Sequence, residues 1–204
     1  MPEPIAVPDP WQNEPPSANG GPAFGGLIEA LRSVQDLVNG SNPPDDVVAA
    51  AAHRLVEVEG LLRPWLAGEA ESLAGKRPDL PGRGHSLLLP FVVEEESTRR
   101  ISGRVRFTRF YLGGNGAAHG GTIPLLFDEV LGRLSNSAGR PRARTAYLHV
   151  NFRRITPIGR TLRVEATVDS EEGRKRYLSG RLSDGDELVA DAEGLFVVLL
   201  PGQP

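Results

Sequence analysis

The chain has no cysteine among its 204 residues. That absence excludes a disulfide scaffold, a thiolate metal site and a cysteine nucleophile. Long hydrophobic runs are missing too. The longest, such as Leu195 to Leu200, are strand-sized, far below the roughly 20 apolar residues that span a bilayer. Neither sign of charge dominates, and a net charge of −3 gives nucleic acid no overall attraction to the molecule. The N-terminus carries acid and proline where a signal peptide needs a basic segment and an apolar core. These absences lead to the expectation of a soluble cytoplasmic protein that neither spans a membrane nor binds nucleic acid.

Three regions follow from pattern. Residues 1–23 hold Pro2, Pro4, Pro8, Pro10, Pro15, Pro16 and Pro22 among polar residues. Such a segment buries too little to offset its ordering entropy, so a flexible tail is predicted, with Trp11 as its one aromatic. Residues 24–80 read as a helical extension and linker. Phe24, Leu27, Ile28, Leu31, Val34 and Val38 recur at helical spacing until Gly40. After Pro43-Pro44, Asp45 and Asp46 suit the start of a second helix, whose stripe is Val48, Ala51, Ala52, Leu55, Val58 and Leu62. Pro64 closes or kinks it. Two helices cannot form a core alone, so they must pack on the main domain or on a partner subunit. Burial of Leu27, Leu31, Leu55 and Val58 is expected.

Residues 81–204 carry the strand signals. Ser86 to Glu95 and Arg100 to Tyr111 precede an apolar helix over about 121–136. Four strands follow, over Arg144 to Thr156, Arg160 to Asp169, Lys175 to Leu182 and Leu188 to Leu200. Glu172-Gly173 and Asp184-Gly185 supply hairpin turns. The order β-β-α-β-β-β-β predicts an α+β fold, a long helix against a mostly antiparallel sheet.

The chemistry concentrates in Asn115-Gly116-Ala117-Ala118-His119-Gly120-Gly121-Thr122. A Gly-Gly pair at the mouth of a helix lets a ligand approach the backbone, and it aims unpaired N–H groups and the positive helix end at developing negative charge. Eight residues past Gly120, Asp128 interrupts the apolar helix away from the stripe of Ile123, Phe127, Val130 and Leu134. Oxyanion donors with a part-buried carboxylate suit acyl transfer. Gly120 and Asp128 are separated by about 12 Å of helix rise, so within one chain they cannot reach a common carbonyl. Either one is irrelevant, or two subunits share the site. Glu129 has a different azimuth and reads as solvated or structural.

His-Gly-Gly with Asp nine residues on, then Asp128-Glu129-x-x-Gly132, Thr145 to Arg154 and Thr156-Pro157-Ile158-Gly159, resembles the hotdog-fold acyl-CoA thioesterases of the phenylacetyl-CoA (PaaI-like) group. The resemblance covers about residues 85–200. It implies a hotdog fold, here with two extra N-terminal helices, and hydrolysis of acyl-CoA to free acid and CoA. No metal and no cofactor are implied beyond the coenzyme A of the substrate. It implies a homodimer, possibly a dimer of dimers, with active sites straddling the interface.

Residue by residue, the resemblance makes Gly120 N–H the oxyanion donor and Asp128 the nucleophile or the base for water. His119 shapes the loop and orients the carbonyl, and Thr145 helps hold the water or the acid. Gly121, Asn115, Arg153 and Arg154 would meet substrate. The arginines at 140, 142, 144, 153, 154, 160 and 163 are either a solvated sheet edge or a landing site for CoA phosphates. Position 113 is Gly where part of the family carries an active-site Asn, which leaves Asn115 open to being only a turn residue. A non-catalytic acyl-CoA-binding regulator and an enoyl-CoA hydratase are the competing functions.

Overall fold

A computed structural model describes residues 20–200 and 202. Most of the proline-rich tail, Trp11 included, lies outside the described residues. Eight strands and three α-helices run in the order α1 (Ala23–Gly40), α2 (Asp45–Leu62), β1 (Val92–Glu96), β2 (Arg100–Arg106), β3 (Leu112–Gly114), β4 (Ala117–Ala118), α3 (Thr122–Ser135), β5 (Ala143–Phe152), β6 (Thr161–Glu172), β7 (Lys175–Asp184) and β8 (Glu187–Val198). Six strands form one antiparallel sheet in the order β1-β2-β6-β7-β8-β5, and β3 pairs with β4 in a small separate hairpin. The mixed α+β layer expected from pattern is present.

The sheet wraps α3. From the helix, Ile123, Leu126, Phe127, Val130, Leu131 and Leu134 are buried against inward residues that recur at every second position, among them Ile101, Val105, Leu162, Val164, Ala166, Leu178 and Leu182. Close approach explains one glycine in the strands beneath. A Cβ on Gly180 would lie 2.9 Å from the Phe127 ring, so the helix seats only where β7 has no side chain. The opposite face of the sheet is largely polar. Thr167, Ser179 and Asp169 hydrogen-bond one another, and Arg100 and Arg163 both pair with Glu165.

The first two expected strands are shorter than their pattern suggested. Only Val92–Glu96 of the first joins the ladder. The segment before it spends its carbonyls elsewhere: Arg32 of α1 donates one guanidinium nitrogen to the carbonyls of Pro81, His85 and Leu88 at 3.1–3.3 Å. Past Arg106 the second strand turns through a 3-10 turn at Arg109–Tyr111, where Asp36 of α1 accepts the Phe110 N–H at 2.7 Å. Side chains of α1 thus take backbone partners that a sheet would have used.

The helical extension also departs from expectation. Helix α1 docks through buried Ile28, with Arg32 and Asp36 bonded as above. Leu27, Leu31, Leu55 and Val58 are nevertheless exposed, and α2 has no buried residue at all. Within one chain the second helix has no apolar partner among the described residues.

Candidate active site

The motif residues sit where β4 feeds α3. Asn115-Gly116 forms the tip of the β3–β4 hairpin, with φ of 49° and 75°. Asparagine and glycine tolerate these left-handed values, as a two-residue hairpin turn requires. Asn115 is therefore accounted for by backbone geometry. The hairpin is fastened to the segment after β5: Ala118 N–H donates to Thr156 O at 2.8 Å, and Ile158 N–H to Gly116 O at 3.1 Å. This gives the Thr-Pro-Ile-Gly element a structural duty.

At the helix mouth the donors are divided. Gly121 N–H is taken by His119 Nδ1 at 3.1 Å, and Thr122 N–H and Oγ1 both donate to His119 O at 2.9 and 2.7 Å. His119 thus caps the helix with its ring and its carbonyl, which puts the donor hydrogen of a neutral ring on Nε2. Gly120 N–H makes no hydrogen bond among the described residues, and Gly120 is exposed. An open N–H just ahead of a helix N-terminus is an arrangement that can bind an oxyanion. Gly113 packs against this turn so closely that a Cβ there would lie 2.7 Å from the His119 Cα. The Asn that part of the resembling family carries at that place does not fit this loop.

Six residues into α3, Asp128 projects from the helix and its Oδ1 accepts the Thr145 hydroxyl at 2.8 Å. Two devices create the pair. Asn136 closes the helix end and ties it to the start of β5, its Nδ2 donating to Gly132 O at 3.0 Å and its Oδ1 accepting Ala143 N–H at 2.8 Å. A bulge between Thr145 and Tyr147 then switches the alternation of β5. Leu148 and Val150 face the core on one side of it and Ala143 on the other. Without the extra residue Thr145 would point to the outer face.

Asp128 and Thr145 are exposed in the single chain, so the part-buried carboxylate expected from sequence is not formed there. Asp128 lies outside the stripe that α3 buries, and no element of its own chain passes over it. Its neighbour Glu129 turns inward. Arg83 donates to both Glu129 oxygens at 2.5 and 2.7 Å, and the side chains are only 15% and 10% exposed. The Glu129 partner was invisible in sequence because it lies 46 residues away, before β1. Phe152 was also missed: its exposed ring lies 3.9 Å from where a Cβ on Gly120 would be.

The arginines divide by partner. Arg153 binds Asp191, which also accepts from Asn151 at 2.9 Å, and Arg154 lies 3.5 Å from Glu187. Arg140, Arg160 and Arg163 pair with Glu171, Asp184 and Glu165. Arg153 holds the Asp191 carboxyl below the usual carboxylate range. Among the described residues no group of His, Cys, Asp and Glu is arranged to hold a metal, and no helix is long and apolar enough to cross a membrane.

Known proteins share this fold. The thioesterase superfamily family model matches residues 115–190, the span from the motif turn to β8. PA0474 of Pseudomonas aeruginosa, a candidate esterase by name, is 32% identical over 113 residues, covering 54% of this chain and 84% of that protein. Acyl-coenzyme A thioesterase THEM4 of Bos taurus is 36% identical over 88 residues, which span 42% of this chain and 35% of the bovine protein. Among solved structures, the thioesterase superfamily protein RHA08564 superposes with a TM-score of 0.75 at 29% identity, over 87% of this chain and 96% of its own. Coverage that high includes part of the helical extension. A Streptococcus mutans protein solved with acetyl CoA shares the fold at a TM-score of 0.51 and 21% identity, covering 55% of this chain and 91% of that one. The chain belongs to the thioesterase superfamily, a thioester hydrolase on the hotdog fold.

Proposed function

We propose that the protein hydrolyses acyl-CoA thioesters in a site shared by two copies of the chain. One copy supplies the Gly120 N–H and the other supplies Asp128. The observation that carries this reading is the Thr145–Asp128 hydrogen bond on a helix whose open end presents an unpaired Gly120 N–H. The two groups lie about 12 Å apart along one helix, and Asp128 is uncovered in its own chain. A second copy placed across this surface brings its own Gly120 to the carboxylate and excludes water from it.

The steps follow from the groups. The thioester oxygen accepts from Gly120 N–H, where the helix end favours the charge of a tetrahedral intermediate. Thr145 occupies Asp128 Oδ1 and fixes the carboxylate, leaving Oδ2 to act. As a base, Oδ2 takes a proton from water while the water oxygen bonds to the carbonyl carbon. Collapse breaks the C–S bond, and the proton passes to the departing sulfur, giving free acid and CoA thiol. As a nucleophile, Oδ2 would instead form a mixed anhydride that water then opens. Label in Asp128 after a single turnover in oxygen-labelled water marks the second route with water opening the anhydride at the aspartyl carbon, since the first route leaves Asp128 unlabelled. His119 holds the loop through its ring nitrogen, and Phe152 forms a wall beside the bound carbonyl. Arg153 and Arg154 lie at the end of β5 beside that wall, in reach of CoA phosphates.

The relative solved with acetyl CoA and the THEM4 thioesterases support coenzyme A as the carrier. The test is release of CoA thiol from acyl-CoAs of graded chain length. Asp128→Asn should lower kcat by about 10² or more with substrate binding and melting temperature kept. Turnover near wild type in that variant would refute the role. Binding without turnover by the wild-type protein would favour a regulatory acyl-CoA receptor.

A further inference from the structure

Every residue from 37 to 71 is solvent-exposed in the single chain, and α2 lies in the middle of that stretch. The helix is not polar all round. Val47, Val48, Ala51, Leu55, Val58 and Leu62 share one face, and Trp65 and Leu66 extend it at 81% and 83% exposure. His53 and Glu57, 3.4 Å apart, lie on the far side. An isolated helix of this length is marginal in water and normally draws its stability from packing an apolar face.

The segment is anchored at both ends to its own domain. On the outgoing side, Gly40 lies against the Arg109 side chain so tightly that a Cβ would meet it at 2.6 Å. On the returning side, Gly75 N–H donates to Arg83 O at 3.1 Å, the Arg83 guanidinium donates to Gly75 O, and Arg83 also holds Glu129, the residue next to Asp128. Between these anchors the chain leaves the body, presents an apolar face and comes back. The returning anchor is therefore tied to α3, the helix that carries Asp128. Much of the outer face of its own sheet is a network of ion pairs and hydroxyls, with Tyr147, Leu195 and Tyr177 as an apolar row nearer β5.

We propose that α2 is an exchanged arm, docked by its apolar face on the second copy that completes the active site. The occupant follows from two features. First, the arm is rooted at the helix that a second copy must approach if Asp128 and Gly120 are to meet, so it continues the interface inferred above. Second, the exposed apolar side chains of the arm offer on the order of 800 Å², the share that each partner gives to a standard stable interface. Monomeric proteins seldom leave a patch of that size uncovered. Exchange in both directions doubles the contact and is the symmetric solution for two identical chains. The inference rests on the shared-site reading for the position of the second copy.

The test uses the full chain with a photo-cross-linking phenylalanine analogue in place of Leu55 on the apolar face, or of His53 on the opposite face. Irradiation of the Leu55 replacement should yield a covalent dimer on a denaturing gel, with at least a tenfold lower yield from the His53 replacement. Equal yields, cross-links confined to one chain, or no cross-link would each overturn the proposal. The outcome is independent of turnover. If the arm is exchanged but the site is not shared, the cross-link persists while Asp128 and Gly120 lesions fail to complement. If the site is shared but the arm is not exchanged, complementation persists without the cross-link.

Discussion

Thr145 is the residue whose meaning changed most on folding. As a sequence letter it is a β-former; in the structure its hydroxyl is bound to Asp128 because one extra residue in β5 turns it inward. Thr145→Val keeps the shape and removes the donor. Since one such bond contributes about 1–1.5 kcal/mol, kcat should fall roughly tenfold. Both residues are exposed, so melting should scarcely move. Steady-state kinetics beside a melting curve tests this, and unchanged kcat would show that the bond is incidental. Gly113→Ala probes the turn from the other side. Its Cβ would press on the His119 backbone, so we expect a tenfold or larger loss of kcat. A variant with wild-type kinetics would show that the loop moves aside freely.

The elements divide into those that periodicity reveals and those that long-range side chains decide. The inward alternation of β2 and β6 and the apolar stripe of α3 were legible because burial repeats at the period of the element. So was the motif turn, whose glycines have a local cause. Less legible was the stretch before β1, where Arg32 collects the carbonyls that a strand would have paired. The bulge in β5 left no sequence mark, since a single extra residue preserves composition and breaks only the parity. The Arg83–Glu129 pair has no local signature either, yet it ties the segment before β1 to α3. Both side chains are nearly buried, so Glu129→Gln removes one charge of a nearly buried ion pair. That change should cost about 3 kcal/mol of stability, read by denaturant titration. A loss below about 1 kcal/mol would mean that solvent reaches the pair.

The whole molecule has one outer face that is largely charged and paired, and it leaves Asp128 and α2 open. The ion pairs set the acid limit. Arg153, Arg140, Arg100 and Arg77 hold Asp191, Glu171, Glu165 and Asp79 below their ordinary pKa values. Depressed carboxylates stabilise the folded state above the unfolded value of about 4. That contribution is lost as pH falls through the folded values. Melting temperature should hold from neutrality to about pH 5 and decline below about pH 4, modestly because these pairs touch solvent and salt. A decline that begins near pH 6 would point to histidine instead. The open surface defines the assembly, and the shared site is tested by mixing two inactive chains. A side chain at Gly120 has room in its own chain, the nearest neighbour being the Phe152 ring at 3.9 Å. Gly120→Val therefore blocks approach to the N–H without breaking the fold, and Asp128→Asn removes the carboxylate. In heterodimers of the two, one site carries both lesions and the other carries neither. Equal mixing through refolding should restore roughly a quarter of wild-type CoA release, with each parent alone nearly inactive. Verified heterodimers no more active than the parents would show that Gly120 and Asp128 do not meet across two copies.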